Sequence, residues 1–345
     1  KYYDKLTVAG HGQGLKVKQT GEMGKGIFAE RDFQEDELVL QDRMLVGAQH
    51  FSNKGDSFVC NFCFCYIGSI ELQIGRRLFL RSINKENGDG LHHQHSLQCS
   101  DKKTKMGLHI PEELVESLLN GKLSLPYSEK FPLPSVTNCI GGCSDEHYCS
   151  TSCAEAAWET FHSILCTGER SLCKNKAGLL DFKQHADETN DIFHVVAQVI
   201  STVILKSRKA KKNPQFSWSE VLNIWEPFAM GYKRLWWDCV ALPDDIDPIE
   251  EPQFRKEIKE LAWTSLQLLK GAIFEDESAP LFSLQVYGNI IGMFELNNLD
   301  LVVASPVEDY FIYIDDLPHS EKTEAEQMTR PLLEALGDDY ATCCE

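Results

Sequence analysis

Basic residues are the scarce charge in this 345-residue sequence: 34 lysines and arginines face 52 aspartates and glutamates, a formal net charge of −18. Neutralising phosphates takes clustered Lys and Arg, so the chain is a poor general binder of nucleic acid. The balance suits a basic partner such as a lysine-rich peptide, although solubility alone accounts for many acidic chains. Long apolar runs are missing too. No segment approaches the roughly 18 uninterrupted apolar residues that a membrane helix needs, and no membrane partner is expected. The chain opens on Lys1, and no secretory signal pattern follows, which reads as a trimmed N-terminus. No Ser, Cys or His triad offers a nucleophilic centre. The apolar fraction of 43% is ordinary and supports a core without covalent help. The length fits two or three domains, or one with large insertions.

Cysteine, by contrast, is plentiful. With no signal pattern and with paired spacings beside a histidine, the 13 cysteines favour metal over disulfides. Cys60 and Cys63 stand as C-x2-C, Cys139 and Cys143 as C-x3-C, Cys149 and Cys153 as C-x3-C, and His162 and Cys166 as H-x3-C. A C-x2-C pair spans a tight turn with both thiolates facing one ion. A C-x3-C or H-x3-C pair on a helix sets both donors on one face, one turn apart. The Ala- and Glu-rich stretch from Ser152 to His162 predicts such a helix. Eight donors are enough for two closed tetrahedral zinc sites. Spacing leaves open which pairs share an ion; alternate pairing, with Cys60, Cys63, Cys149 and Cys153 on one, would staple distant parts of the chain. Cys65 reads as a spare thiol. Residues 64–138, between the first two pairs, carry His92, His93, His95, Cys99 and His109. For the clustered His92, His93 and His95 a solvent-exposed loop is expected in preference to a third metal site.

Upstream, Leu15 to Thr20 alternates as a strand, Gly21 to Gly26 interrupts it, and Ile27 to Ala29 resumes it. Glu37 to Gln41 predicts a further strand. The glycines permit positive φ and close approach of backbone to a ligand, yet they match neither the dinucleotide nor the phosphate-loop pattern. After Cys166 helices dominate: Ile192 to Leu205, capped by Asn190 or Asp191, then 217–239, 253–274 and an exposed amphipathic helix over 321–336. Lys206, Arg208, Lys209, Lys211 and Lys212 crowd the end of the first, as a solvated helix end or, alternatively, a nuclear import patch. Trp225, Trp236, Trp237 and His194 are expected in the core.

Four pairs ending in H-x3-C resemble a MYND zinc finger, a cross-braced module whose two zinc ions are structural and whose surface takes peptides. Its third pair here has three intervening residues instead of two, and the 64–138 stretch far exceeds its family counterpart. GKGIFA, a charged turn and an apolar strand just ahead of such a finger resemble the opening of a SET domain. The chain is therefore similar to SET- and MYND-domain protein-lysine methyltransferases, in particular to the plant trithorax-related SET proteins with a long finger insertion.

That resemblance implies an α+β fold in which a SET β-fold is split by the two-zinc finger and a helical insert and lacks its C-terminal part. Residues 1–59 would be the first SET segment, 60–166 the finger, 167–280 the helical insert and 281–345 a truncated second SET segment. It implies S-adenosylmethionine held by backbone groups of Met23, Gly24 and Lys25, with Gly26 permitting the turn, although Asp36 replaces the family's later turn glycine. Asn289, within Phe282 to Leu301, is the implied side-chain contact; its residues alone equally suggest an Asn-containing turn. The implied partners are a basic protein substrate, a histone tail, and a transcription factor or peptide on the finger, in the nucleus. The family's N-H-S-C segment occurs nowhere in the sequence. Tyr310 to Asp316 imitates the strand that should follow that segment, so Tyr313 is not assigned as the channel tyrosine. Cys343 and Cys344, being adjacent, cannot complete a four-ligand site. No catalytic residue is identified, and the chain is expected to be a fragment or shortened form with little activity. The alternative is a zinc-stapled interaction module without chemistry.

Overall fold

A computed structural model describes residues 3–4, 12–21, 24–42, 44–86, 110–213, 218–231 and 234–337. The chain divides into two compact units, Lys1–Gly47 and Ala48–Glu345. The first is built on one hairpin, β1 (Leu15–Gln19) antiparallel to β2 (Lys25–Ala29), with Val17 opposite Ile27. Its turn closes on itself: the Thr20 N–H and hydroxyl both donate to the Gly24 carbonyl, at 2.6 and 2.8 Å. Gly24 has φ 80°, a left-handed conformation that favours glycine. The strand expected over Glu37 to Gln41 does not form. Asp36 turns the backbone left-handed at φ 61°, and the Glu37 carboxylate pairs with Arg31 and accepts the Gln34 N–H at 2.9 Å. Those local bonds close a loop where a strand would need a partner.

The second unit begins with α1 (Ile70–Glu86) and α2 (Glu112–Leu119). A short hairpin follows, β3 (Thr137–Asn138) with β4 (His147–Tyr148), then α3 (Thr151–Ala157). A π turn over Trp158–His162 leads into α4 (Ser163–Leu165). The remaining helices are α5 (Lys176–Thr189), α6 (Ile192–Lys211), α7 (Trp218–Ala229), α8 (Trp236–Cys239), α9 (Glu251–Ile273), α10 (Leu284–Asn297), α11 (Pro306–Asp315) and α12 (His319–Leu336). The fold is mixed α and β, dominated by helix, with a two-stranded sheet in each unit among the described residues.

The stretch between the first two cysteine pairs contributes to a core among its described residues. Ile70, Ile74 and Leu78 recur at four-residue spacing on one face of α1 and are buried. Leu118 and Leu125 join them, and the other half of that core comes from far along the chain. Val307, Tyr310 and Ile314 of α11 and Ala325, Leu332 and Leu336 of α12 complete it. Tyr310 donates to the Pro126 carbonyl at 2.9 Å and Tyr127 to Glu321 at 3.1 Å. Residues 310–315, expected to imitate a strand, are therefore helical, and Tyr313 packs edge-on against Tyr127 and Phe131. The helix expected over 321–336 is present, but its apolar face is covered. Gln73 of α1 reaches the other way. Its amide donates to the Phe58 and Ile67 carbonyls at 2.7 and 2.8 Å and accepts the Phe58 N–H at 2.9 Å.

Helices α5 to α10 enclose a second core lined by Phe193, Val196 and Ile200 of α6, Leu266 and Leu269 of α9, and Tyr287, Ile290 and Ile291 of α10. Asn190 caps α6 by accepting the Ile192 N–H at 3.0 Å, whereas Asp191 binds the His50 ring and the Phe51 N–H. The basic end of α6 is ion-paired: Arg208 to Glu275, Lys209 to Glu159 and Lys211 to Glu277. His194 is held by Asp187 at 2.7 Å, and Trp236 and Trp237 are buried as expected, while Trp225 is half-buried. Residues 217–239 form two helices, not one. The short α8 nests on α10 because Gly292 has no side chain; a Cβ there would stand 2.2 Å from the Arg234 carbonyl oxygen. The neighbouring Asn289 is half-buried inside α10, so the turn alternative for this stretch is replaced by a helix.

The core joining 64–138 to the distal helices makes a direct prediction. Leu332→Ala, at a fully buried site, is expected to cost about 2–5 kcal/mol, read by thermal or denaturant unfolding. A cost below about 0.5 kcal/mol, as at surface sites, would mean that α12 is not a core element.

Candidate metal centres

The first cluster starts from a knuckle. The Cys60 N–H donates to the Cys65 carbonyl at 2.8 Å and the Phe64 N–H to the Cys60 carbonyl at 2.9 Å, with Phe64 left-handed at φ 62°. This turn sets Cys60 and Cys63 toward one point, as C-x2-C spacing predicts. Asn61 ties it to β4: its N–H donates to the His147 carbonyl, and its side-chain oxygen accepts the His147 N–H, each at 2.9 Å. Strand β4 thereby delivers Cys149. Ser150 then caps α3 by accepting the Cys153 N–H at 3.2 Å, which places Cys153 in the first turn. Cys149 Sγ lies 3.6 Å from Cys63 Sγ and 3.4 Å from Cys153 Sγ.

The second cluster is deeper. Cys139 and Cys143 flank a turn at Gly142, φ 80°, and not a helix. His162 ends the π turn, and Cys166 follows α4 in extended backbone, so the H-x3-C pair is not one helical face either. His162 Nε2 stands 3.1 Å from Cys139 Sγ and 3.4 Å from Cys143 Sγ, and the Cys139 and Cys166 sulfurs are 3.8 Å apart. All four residues are buried. The Gly141 N–H donates to Cys139 Sγ at 3.2 Å and the Gly168 N–H to Cys166 Sγ at 3.3 Å, bonds that favour the thiolate.

Within each group the four donor atoms lie inside 4.8 Å of one another. Disulfides need sulfurs about 2.05 Å apart, which these separations exclude. A tetrahedral ion with metal–sulfur bonds of about 2.3 Å sets its sulfurs about 3.8 Å apart, close to the distances seen. Each group can therefore hold one metal ion, and alternate pairs share it: the first with the third, the second with the fourth.

The electrostatics point the same way. Burial opposes charge on His162, yet the Cys139 and Cys143 thiols outweigh it and lift the imidazole to about 9. The Cys166 sulfur and burial push Cys143 up to about 12. In the first cluster burial works against Cys149 ionisation, but hydrogen bonding with Cys153, Ser150 and Cys63 brings it down to about 7. Burial and the Cys149 sulfur drive Cys153 up to about 12. Packed thiolates thus repel one another, and only some carry charge. A divalent cation relieves that repulsion and displaces the remaining protons.

Gly24, Lys25 and Gly26 belong to the first unit's hairpin, where the Gly24 N–H donates to the Gly21 carbonyl at 3.2 Å and Lys25 reaches the Tyr3 hydroxyl at 2.8 Å. Asn289 belongs to the second unit. Met23, His92, His93, His95, Cys99, His109, Cys343 and Cys344 lie outside the described residues. Two glycines passed unnoticed in the sequence. A Cβ on Gly141 would stand 2.4 Å from Cys166 Sγ, and one on Gly168 would stand 2.2 Å from the Gly141 carbonyl oxygen. Their positions two residues from a ligand were the available signal.

The two four-donor groups, each able to hold a metal ion, make this a cysteine-rich protein of largely helical fold. No family model matches the sequence, and no solved structure matches it. The histone-lysine N-methyltransferase ATXR2 of Arabidopsis thaliana is 51% identical over 369 aligned positions, which take in 100% of this chain and 76% of the relative. The chain belongs to the SET-domain lysine methyltransferases represented by that protein.

Gly168→Ala is expected to lower the bound divalent metal from two ions per chain to one, measured by elemental analysis. Two ions retained would contradict the packing of the second centre.

Proposed function

We propose that the chain is a protein-lysine N-methyltransferase that takes its methyl group from S-adenosylmethionine and acts on a histone in the nucleus. The observation that carries this reading is the 51% identity across the whole chain to a histone-lysine N-methyltransferase. The metal in both centres is zinc, which suits closed sets of cysteine and histidine donors. Alternate pairing supports a MYND-type cross-brace over residues 60–166, set within a SET fold whose two segments are 1–59 and 281–345. A closed four-donor site leaves no position for substrate, so both ions are structural.

The hairpin turn suits a small-molecule contact in one respect: a Cβ at Gly21 would meet nothing within 4 Å, so the turn is open on that side. The Gly24 N–H and carbonyl are engaged within the turn, and Lys25 and Gly26 pair with Gln19 and Lys18 of β1; the proposed cofactor contacts are backbone groups of Met23, Gly24 and Lys25, with Gly26 permitting the turn and Asn289 as a side-chain candidate. The cofactor supplies an activated methyl group on a sulfonium; the protein's task is to align a neutral lysine amine with it and exclude water. An acidic chain favours the approach of a lysine-rich tail.

Calorimetry with S-adenosylmethionine on the zinc-loaded chain tests this. Measurable heat that weakens on Gly24→Ala, which forces an L residue into a left-handed turn, and on Asn289→Ala supports the cofactor site. No heat from folded, zinc-loaded protein would instead support a zinc-braced interaction module that takes a peptide or transcription factor on its finger.

A further inference from the structure

The first centre has one donor too many. Cys65 Sγ lies 3.4 Å from Cys63 Sγ, the same separation as between Cys149 and Cys153. The cause is local: Phe64, between the two cysteines, is left-handed at φ 62°, and that bend brings the flanking thiols to one side. The Cys65 carbonyl is fixed by the Cys60 N–H at 2.8 Å, so the backbone carrying the fifth thiol is part of the knuckle itself. The two centres differ in their surroundings. All four donors of the second are buried, and the sulfurs in contact with them belong to the set itself. In the first, Cys63 is exposed and Cys65 half-buried beside it. Cys65 thus neighbours the ligand most open to solvent, Cys63, and it also contacts Cys149.

We infer that Cys65 is an alternative ligand of the first centre, able to take the place of Cys63 so that five thiols serve one ion four at a time. The exchange is a substitution at the metal. The Cys63–metal bond breaks as the Cys65–metal bond forms, the proton lost from Cys65 passes to Cys63, and no electrons are transferred. Such a site keeps its ion when Cys63 is alkylated or oxidised, which a four-cysteine site would not. The inference rests on the proposal that both centres bind zinc.

The test loads the full chain with zinc and, separately, with Co2+, whose thiolate charge-transfer absorption grows with the number of bound thiolates. Cys63→Ser and Cys65→Ser are each expected to retain two ions per chain with the wild-type charge-transfer intensity. The double variant is expected to lose one ion or to show a clear fall in that intensity. Cys60→Ser, removing a ligand without a neighbour to replace it, is the control that should lose an ion on its own. The inference is overturned if Cys63→Ser already drops to one ion or loses intensity, or if the double variant matches wild type. Wild-type protein that binds no metal would overturn the zinc proposal itself, a separate outcome. Second-centre absorption reports that each variant is folded.

Discussion

Seven thiols and one imidazole held in two tight groups set the problem that the rest of this chain has to solve. Thiolates at 3.4–3.8 Å repel one another, and burial raises the cost of leaving them charged without a counter-ion. A divalent ion in each group turns that cost into a bond. Because alternate pairs share an ion, neither centre can form from a single continuous segment. The knuckle at Cys60 needs α3, and the turn at Cys139 needs the π turn and Cys166. Each centre therefore closes only when two separate stretches of chain meet.

What lies between the first two pairs follows from this closure. Between the anchored Cys63 and Cys139, α1 and α2 build a core of their own. They do so with α11 and α12, more than 180 residues away at the Tyr310–Pro126 contact. Gln73 fastens α1 back to the edge of the finger through three buried hydrogen bonds. The cysteine-rich region is thus coupled to the distal helices by packing, and the loss of either would be felt by the other. A metal held in these groups would have a bracing task, with α1 and α2 linking it to the distal core.

Much of the candidate site was legible in the sequence because metal ligation restricts spacing so severely. C-x2-C and H-x3-C pairs have few other uses, and all eight donors are where the pairs placed them. The geometry behind two pairs was not legible. Cys139 and Cys143 use a glycine turn, and His162 and Cys166 straddle a helix end, since x3 spacing can be closed in several ways. The main helices were legible from their 3.6-residue periodicity. Glu37 to Gln41 and Tyr310 to Asp316 were not, since short apolar runs suit strand and helix alike until a partner is known. Tyr310 found that partner in Phe131 and Leu125, far off in sequence, and a local reading cannot see such a contact. The core role of 64–138 was hidden for the same reason.

Hydrogen exchange before and after metal removal tests the bracing claim most directly. On chelation, amides in the Cys60–Cys65 knuckle, in β3 and β4 and in α3 are expected to lose protection together. Those of α9 and α10, which carry no ligand and pack on α5, α6 and α8, should keep theirs. Unchanged protection across residues 60–66 and 137–166 in metal-free protein would contradict the account.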